Sequence, residues 1–450
     1  MVANSVQQKT EFLSEVPKIL TEAIDYRMQK EYGKSGPAQK PELSVIKNSP
    51  SYFAEFVQKN KLNDVEILIL LTAFVSHISP SFLTKTVQKY LPTGGDFPEF
   101  GGINGKNHRG ILPTGETALF ILAGTDIQKR LEISKLFSEV HFFSKNSVLY
   151  IENPGEGEPL MSGRLILDEE FVELFSTGKI SKPRLSSNFP AELITTELNW
   201  DDLVLENKTL EDIKEIETWL KYNEKLLDEW QMKAKIKPGF RVLFHGPSGT
   251  GKTMTACLLG KYTGRDVFRI DLSMVISKYI GETEKNLSKL FDKADNKDWI
   301  LFFDEADSIF GKRTNVRDAH DKYANQEVSY LLQRIEAHEG LVILASNMKS
   351  NIDPSFTRRF NTMIQFENPG PAERLILWKN YLPKKASLDK NVNLKQFSRD
   401  YELTGANIVN VIHYAGLQAM KKNSGKIYQS EIVKGIQKEY EKEGKMMRSQ

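Results

Sequence analysis

Apolar residues recur at helical spacing over Glu11–Tyr32, where Phe12, Val16, Leu20 and Ile24 share one face. Pro17 suits a first turn and can delay the helix start to that point. The same spacing predicts helices over Ser51–Gln58, Val65–Ile78 and Ser81–Tyr90. A Gly/Pro/Asn-rich stretch, Pro92–Pro113, interrupts the pattern and leads into Thr114–Ala123 and a predicted helix, Asp126–Ser138. Ser147–Asn153 and Arg164–Leu167 alternate as the two arms of a hairpin around a Gly/Pro tip. Helices followed by a hairpin are compatible with a mixed, mainly helical, winged-helix-like N-terminal domain over residues 1–178. Lys179–Pro190 mixes Lys, Pro and Ser with no apolar period, which predicts a linker over residues 179–197.

Beyond that stretch the texture changes. Short apolar runs alternate with long helical patterns: Arg241–His245, Val267–Asp271, Ile300–Asp304, Leu341–Ser346 and Met363–Phe366. Five strands separated by helices predict an α/β fold, a parallel five-stranded sheet between helices, over residues 198–368. From Pro369 onward only helical patterns are seen, such as Ala372–Tyr381 and Ile408–Lys421. A small all-helical domain is expected over residues 369–450.

Composition narrows the function classes. The formal net charge of +2 on 450 residues gives no global attraction to nucleic acid or anionic membrane. The single cysteine, Cys257, excludes an intrachain disulfide framework and fits a reducing compartment. The longest apolar run, Ile67–Ile78, contains Thr72, Ser76 and His77 and is too short to span a bilayer, so no membrane association is expected. Met1–Thr10 is polar and no signal-peptide apolar stretch follows, so a cytoplasmic location is expected.

The chemistry sits at two strand ends. Gly246-Pro247-Ser248-Gly249-Thr250-Gly251-Lys252-Thr253 follows a predicted strand and opens the helical stretch beginning at Met254. This is the phosphate-loop pattern in its strand–loop–helix setting. Gly249 and Gly251 let backbone N–H groups converge on one anion, and the helix start adds its free N–H groups and positive dipole end. Lys252 places a compact charge on the β- and γ-phosphates, and the Thr253 hydroxyl is a hard-oxygen ligand for Mg²⁺. The buried strand Ile300–Phe303 ends in two acids, where the ligand crevice of such a sheet lies. Asp304 is the second candidate for the Mg²⁺ shell, and Glu305 the candidate to orient and polarise the attacking water. The expected cofactors are ATP and Mg²⁺.

With these residues in place, roughly Leu198–Lys422 resembles the AAA+ ATPases, specifically their AAA clade. The match includes the phosphate loop, the acidic strand end and a strand Leu341–Asn347, in which Asn347 stands where the family senses the γ-phosphate. In Asn351–Phe360, Arg358 and Arg359 match the family's two arginine-finger positions, which reach the γ-phosphate bound by a neighbouring subunit. The resemblance thus implies a ring of copies of this chain, usually a hexamer. The two arginines are adjacent here, where many members separate them, and either one could be the dominant finger. Thr404-Gly405-Ala406-Asn407 resembles the motif of the family's helical lid, which implies nucleotide contacts by Gly405 and Ala406 and no sensor-2 arginine at Ala406. Asp201–Val204 resembles the adenine-contacting segment, which implies a base contact at Val204, although Leu205 stands where a glycine is often found.

Ser277–Glu282 resembles the central pore loop of protein-threading rings, with Lys278, Tyr279 and Ile280 as the gripping residues. A finer resemblance, carried by Phe100–Gly124, Trp299–Thr314 and Asp318–Glu336, is to the AAA+ ATPase encoded with bacterial extracellular contractile injection systems, which are phage-tail-like particles. That likeness implies assembly of such a particle, or loading of a protein client into it. Three function classes follow: a threading or remodelling motor, a nucleotide-gated assembly switch that threads nothing, and a nucleic-acid motor or loader. Near-neutral charge and the aromatic–aliphatic pore loop disfavour the third.

Overall fold

The computed structural model describes residues 12–33, 39–91, 97–186, 189–275, 282–295, 297–307, 319–347 and 354–445. The pore-loop candidates Lys278, Tyr279 and Ile280 lie outside the described residues. The chain folds as two compact units, Met1–Lys182 and Pro183–Gln450.

The first unit is built around the helix Asp64–Ile78. Asn63 and Glu66 close a reciprocal capping box at its start, and Ile67 through Val75 are buried. The long apolar run therefore belongs to a protein core, and no single described helix is long and apolar enough to cross a membrane. Phe53, Phe74 and Phe175 meet edge to face beside it, with ring centroids 4.9 and 5.7 Å apart. The first helix runs over Phe12–Tyr32 and takes Pro17 inside it, rather than starting there. Burial of Phe12 and Val16 in the core outweighs the one backbone hydrogen bond that the proline removes. Leu149–Ile151 and Leu165–Leu167 pair antiparallel, as their alternation predicts.

The second unit contains a six-stranded sheet: β1 (Ala191–Ile194), β2 (Phe240–His245), β3 (Val267–Ile270), β4 (Ile300–Phe303), β5 (Leu341–Ser346) and β6 (Thr362–Gln365). Their order across the sheet is β6-β2-β5-β4-β3-β1. The five expected strands, β2 to β6, are parallel to one another, while β1 runs antiparallel to β3 at the edge. The sequence reading is corrected on two counts: the sheet has a sixth strand, and that strand lies inside residues 179–197. Its pairing ties the segment to the sheet edge. Glu192 stands directly opposite Arg269, with an ion pair of 2.8 Å, and Ala191 is buried.

Alternating strand residues feed two cores, one on each face. Val242, Phe244, Phe302 and Ile343 pack against Ile213 and Ile216 of α1 (Asn207–Asp228) and Ala256 and Leu259 of α2 (Lys252–Thr263). Leu243, Leu301, Phe303 and Leu344 pack against Leu290 and Phe291 of α3 (Glu282–Ala294) and Leu331 and Leu332 of α4 (Ala319–Ala337). Helices on both faces of a parallel sheet put the loops of the site at the carboxyl ends of the strands. Four more helices form a lid around Trp378: α5 (Pro371–Tyr381), α6 (Leu394–Asp400), α7 (Gly405–Lys421) and α8 (Gln429–Lys442). The lid is not wholly helical, because Ser387–Leu388 pairs with Lys426–Ile427 in parallel. Two-residue pairings leave no period in a sequence.

Candidate active site

A cavity of about 440 Å³ opens where β2, β4 and β5 end. Every side of it comes from a different stretch of chain. Ser248–Met254 form the floor, Asp304, Glu305 and Asn347 one wall, and Leu203 and Val204 another, while the lid supplies Leu377, Tyr381, Gly405, Ala406, Val409 and Asn410.

The floor is the expected phosphate loop. Gly246 donates to the Ser346 carbonyl at 3.2 Å, which ties the start of the loop to β5. The Thr250 hydroxyl donates to the Pro247 carbonyl at 2.8 Å and closes the turn. Gly249 and Gly251 both have positive φ, +77° and +104°. A Cβ at Gly249 would meet Ala406 Cβ and Thr404 Oγ1 at 2.8 Å, and one at Gly251 would meet Leu203 Cδ1 at 2.7 Å. The two glycines therefore serve the approach of the lid and of Leu203 as well as the turn itself. The Gly249 carbonyl accepts from Ala406 N–H at 3.3 Å, so lid and loop touch through backbone.

Lys252, 7% exposed, donates to the Gly246 carbonyl at 2.6 Å, the Pro247 carbonyl at 2.9 Å and Asn347 Oδ1 at 3.2 Å. All three ammonium N–H groups thus have acceptors. Burial pulls the Lys252 pKa below the ordinary lysine range, and the charges of Asp304 and Asp307 oppose that pull. The contact with Asn347 joins two residues 95 apart in sequence and puts the β5 end in register with the loop. Lys252→Ala removes a charged donor of a kind worth about 1.5–3 kcal/mol. ATP affinity measured by calorimetry is expected to fall at least about tenfold, and unchanged tight binding would remove Lys252 from the site.

At the other wall the chain turns sharply after β4. Glu305 adopts φ +51°, the left-handed region that costs a non-glycine residue on the order of 1–3 kcal/mol. Two hydrogen bonds hold it there: Glu305 N–H donates to Asp304 Oδ1 at 3.0 Å, and Ala306 N–H to the Ala345 carbonyl at 2.8 Å. The turn leaves Glu305 exposed and facing the cavity, while Asp304 is half-buried. Thr253 and Asp304 contribute a hydroxyl and a carboxylate to the same cavity. No cluster of three or more His, Cys, Asp or Glu that could cage a metal exists among the described residues. This donor set fits Mg²⁺, which takes one or two protein oxygens and completes its shell with phosphate oxygens and water.

The two arginines stand elsewhere. β6 pairs in parallel with β2, Thr362 opposite Val242 and Gln365 opposite His245. Arg358 and Arg359 precede the start of β6, whereas the phosphate loop leaves the end of β2, a full strand of about 13 Å away at ~3.3 Å per residue. Neither arginine lines the cavity. They also differ from each other. Arg359 is ion-paired with Glu336 at the end of α4, while Arg358 is exposed with no partner among the described residues. Phe356, 2% exposed, anchors the turn, and Asn361 locks it to β2 by giving its N–H to the Arg241 carbonyl at 2.8 Å and taking the Arg241 N–H at 2.9 Å.

Of the expected site residues, Ser248 to Met254, Val204, Asp304, Glu305, Asn347, Gly405 and Ala406 come together at one cavity. Gly246 and Pro247 bind Lys252 through their carbonyls just beneath it. The sequence reading missed Glu367, Pro369, Leu377, Tyr381, Val409 and Asn410, while Leu203 lies in the Asp201–Val204 segment it had singled out. The one signal for Asn410 was its place one turn beyond Ala406, on the helix that the Thr404–Asn407 capping box begins.

Residues 242–368 match the profile of the family described as "ATPase family associated with various cellular activities (AAA)". A putative cell division cycle ATPase of Plasmodium falciparum is 32% identical over 50% of this chain and 18% of its own length. A 26S proteasome regulatory subunit 6B homolog of Dictyostelium discoideum is 30% identical over 44% of this chain and 51% of its own. A proteasome-activating nucleotidase of Archaeoglobus fulgidus is 28% identical over 66% of this chain and 74% of its own. The chain therefore spans about half or less of the length of the first two of these relatives. The matched region carries the loop, the acidic strand end, Asn347 and both arginines, so over residues 242–368 the chain is similar to the ATPases of that family.

Proposed function

We propose that this chain is one subunit of a hexameric ring that hydrolyses ATP with Mg²⁺ and uses the energy to remodel or thread a protein client. The observation that carries this is the separation of Arg358 from its own cavity by the length of β6, with its side chain exposed. A phosphoryl-transfer site gains its largest electrostatic term from an arginine at the γ-phosphate, and among the described residues none lines this cavity. A neighbouring copy supplies it when the ring closes, and a head-to-tail interface of this kind forms rings. Similarity to proteins named as proteasome-activating nucleotidase and proteasome regulatory subunit supports a protein client over a nucleic acid. In this reading Glu305 polarises the attacking water, Asn347 places it, and Arg358 of the next subunit stabilises the developing charge. Lys278, Tyr279 and Ile280 grip the client. The likeness to the ATPase of contractile injection systems makes the client a component or cargo of such a particle. We place the N-terminal domain at residues 1–178 and the lid at 369–450, with the N-terminal domain meeting the client.

Tyr279→Ala tests the threading step. Loss of a flat apolar grip worth roughly 1.5–3 kcal/mol is expected to let the client slip. Basal ATP turnover should persist while client remodelling, measured as loss of a folded fluorescent cargo, falls sharply, and Tyr279→Phe should retain most of it. Full remodelling by Tyr279→Ala would favour a nucleotide-gated assembly switch that threads nothing.

A further inference from the structure

The cavity that Lys252 lines is also lined by Val204, Leu377, Tyr381 and Val409, apolar and aromatic side chains suited to packing against an aromatic base. Asn410, on α7, lines the cavity and donates its Nδ2 to Glu439 Oε2 at 3.1 Å. A carboxylate only accepts hydrogen bonds, so the reversed amide would set Oδ1 against a carboxylate oxygen. The amide orientation is thereby fixed, and Oδ1 has no donor among the described residues.

Glu439 is well built for this task. It is 5% exposed and its Oε2 also accepts Asn407 Nδ2 at 3.0 Å, while Oε1 accepts from Lys442 at 2.5 Å. Burial works against its ionisation, but the hydrogen bonds from Lys442, Asn407 and Asn410 outweigh it and hold the carboxyl below its ordinary range. Asn407 in turn accepts from Thr404 N–H at 2.9 Å and Thr404 Oγ1 at 2.7 Å, and Thr404 stands over Gly249 of the phosphate loop. A continuous polar chain therefore sets Asn410 relative to the phosphate loop.

We propose that Asn410 is a base-reading residue whose Oδ1 accepts a hydrogen bond from the exocyclic amino group of adenine, with Glu439 as the positioning residue that keeps the amide from reversing. Guanine carries an oxygen at the corresponding place and meets acceptor with acceptor, so the device favours ATP over GTP. This rests on the cavity being the nucleotide site.

The test is calorimetry on the full chain with Mg²⁺, using ATP, purine riboside triphosphate (which lacks the amino group) and 2′-deoxy-ATP. The wild type is expected to bind ATP about tenfold tighter than purine riboside triphosphate, the scale of one well-made hydrogen bond. Asn410→Ala, at an exposed helical position where alanine is well tolerated, should bring the two within about twofold and leave purine riboside triphosphate binding unchanged. Glu439→Gln should reduce the same ratio, because its amide no longer dictates which way Asn410 faces. An unchanged ratio in Asn410→Ala, or a loss that falls on the 2′-hydroxyl comparison instead, would overturn the proposal. Failure of the wild type to bind any triphosphate would overturn the nucleotide reading on which it rests.

Discussion

Arg358→Ala is expected to bind ATP as the wild type does and to hydrolyse it about a thousandfold more slowly. The size follows from the transition state. Charge builds on the transferring phosphoryl group, and an arginine delivered to it in a water-poor interface is worth roughly 10³–10⁵ in rate. Binding survives because the ground state is held by the phosphate loop and Lys252, which the arginine does not touch. Arg359→Ala should behave differently. Its guanidinium is engaged with Glu336 on the same chain, so its first effect is on the turn that presents Arg358. A half-exposed ion pair contributes only about 0–1 kcal/mol to stability, so the fold should hold and the rate should fall by a smaller factor. Single-turnover hydrolysis at saturating ATP separates the two variants. Equal losses would show that both arginines reach the phosphate.

Glu305→Gln is expected to keep ATP and Mg²⁺ binding and to lose turnover by at least about a hundredfold, the scale of removing a general base. The substitution preserves size and hydrogen-bonding shape while removing the charge that polarises water. It also spares the turn, whose φ of +51° is held by the backbone of Glu305 and Ala306 together with the Asp304 carboxylate, rather than by the Glu305 side chain. Bound ATP should then persist, so this variant is the natural trap for an assembled ring in size-exclusion chromatography with ATP. Near-normal steady-state phosphate release would remove Glu305 from the chemistry.

Much of this site was legible because its chemistry lies at the ends of strands that announce themselves. Ile300–Phe303 is four apolar residues followed by two acids, and a buried strand can present acids only where it leaves the sheet. The phosphate loop was readable for the same reason. What was not legible depends on contacts between distant residues. The difference between Arg358 and Arg359 is set by Glu336, which lies on another helix. Tyr381 and Asn410 reach the cavity only because the lid folds back onto Gly249, more than a hundred residues earlier. β1 was hidden by its setting directly after the polar, proline-bearing stretch Lys179–Pro190, and its partner strand, with Arg269 opposite Glu192, lies far along the chain. The four apolar strands β2 to β5 needed no such partner to be recognised, since near-continuous burial marks each of them.

The central claim is that one complete active centre is assembled from two copies of the chain, Glu305 from one and Arg358 from the next. Mixing Arg358→Ala chains with Glu305→Gln chains and following phosphate release tests it most directly. Each variant alone should be nearly inactive. In mixed rings, an Arg358→Ala subunit keeps its own Glu305 and receives an intact Arg358 from a Glu305→Gln neighbour, so turnover should rise well above the sum of the separate preparations. A mixture whose two chains demonstrably co-assemble, yet whose rate stays at that sum, would contradict the claim.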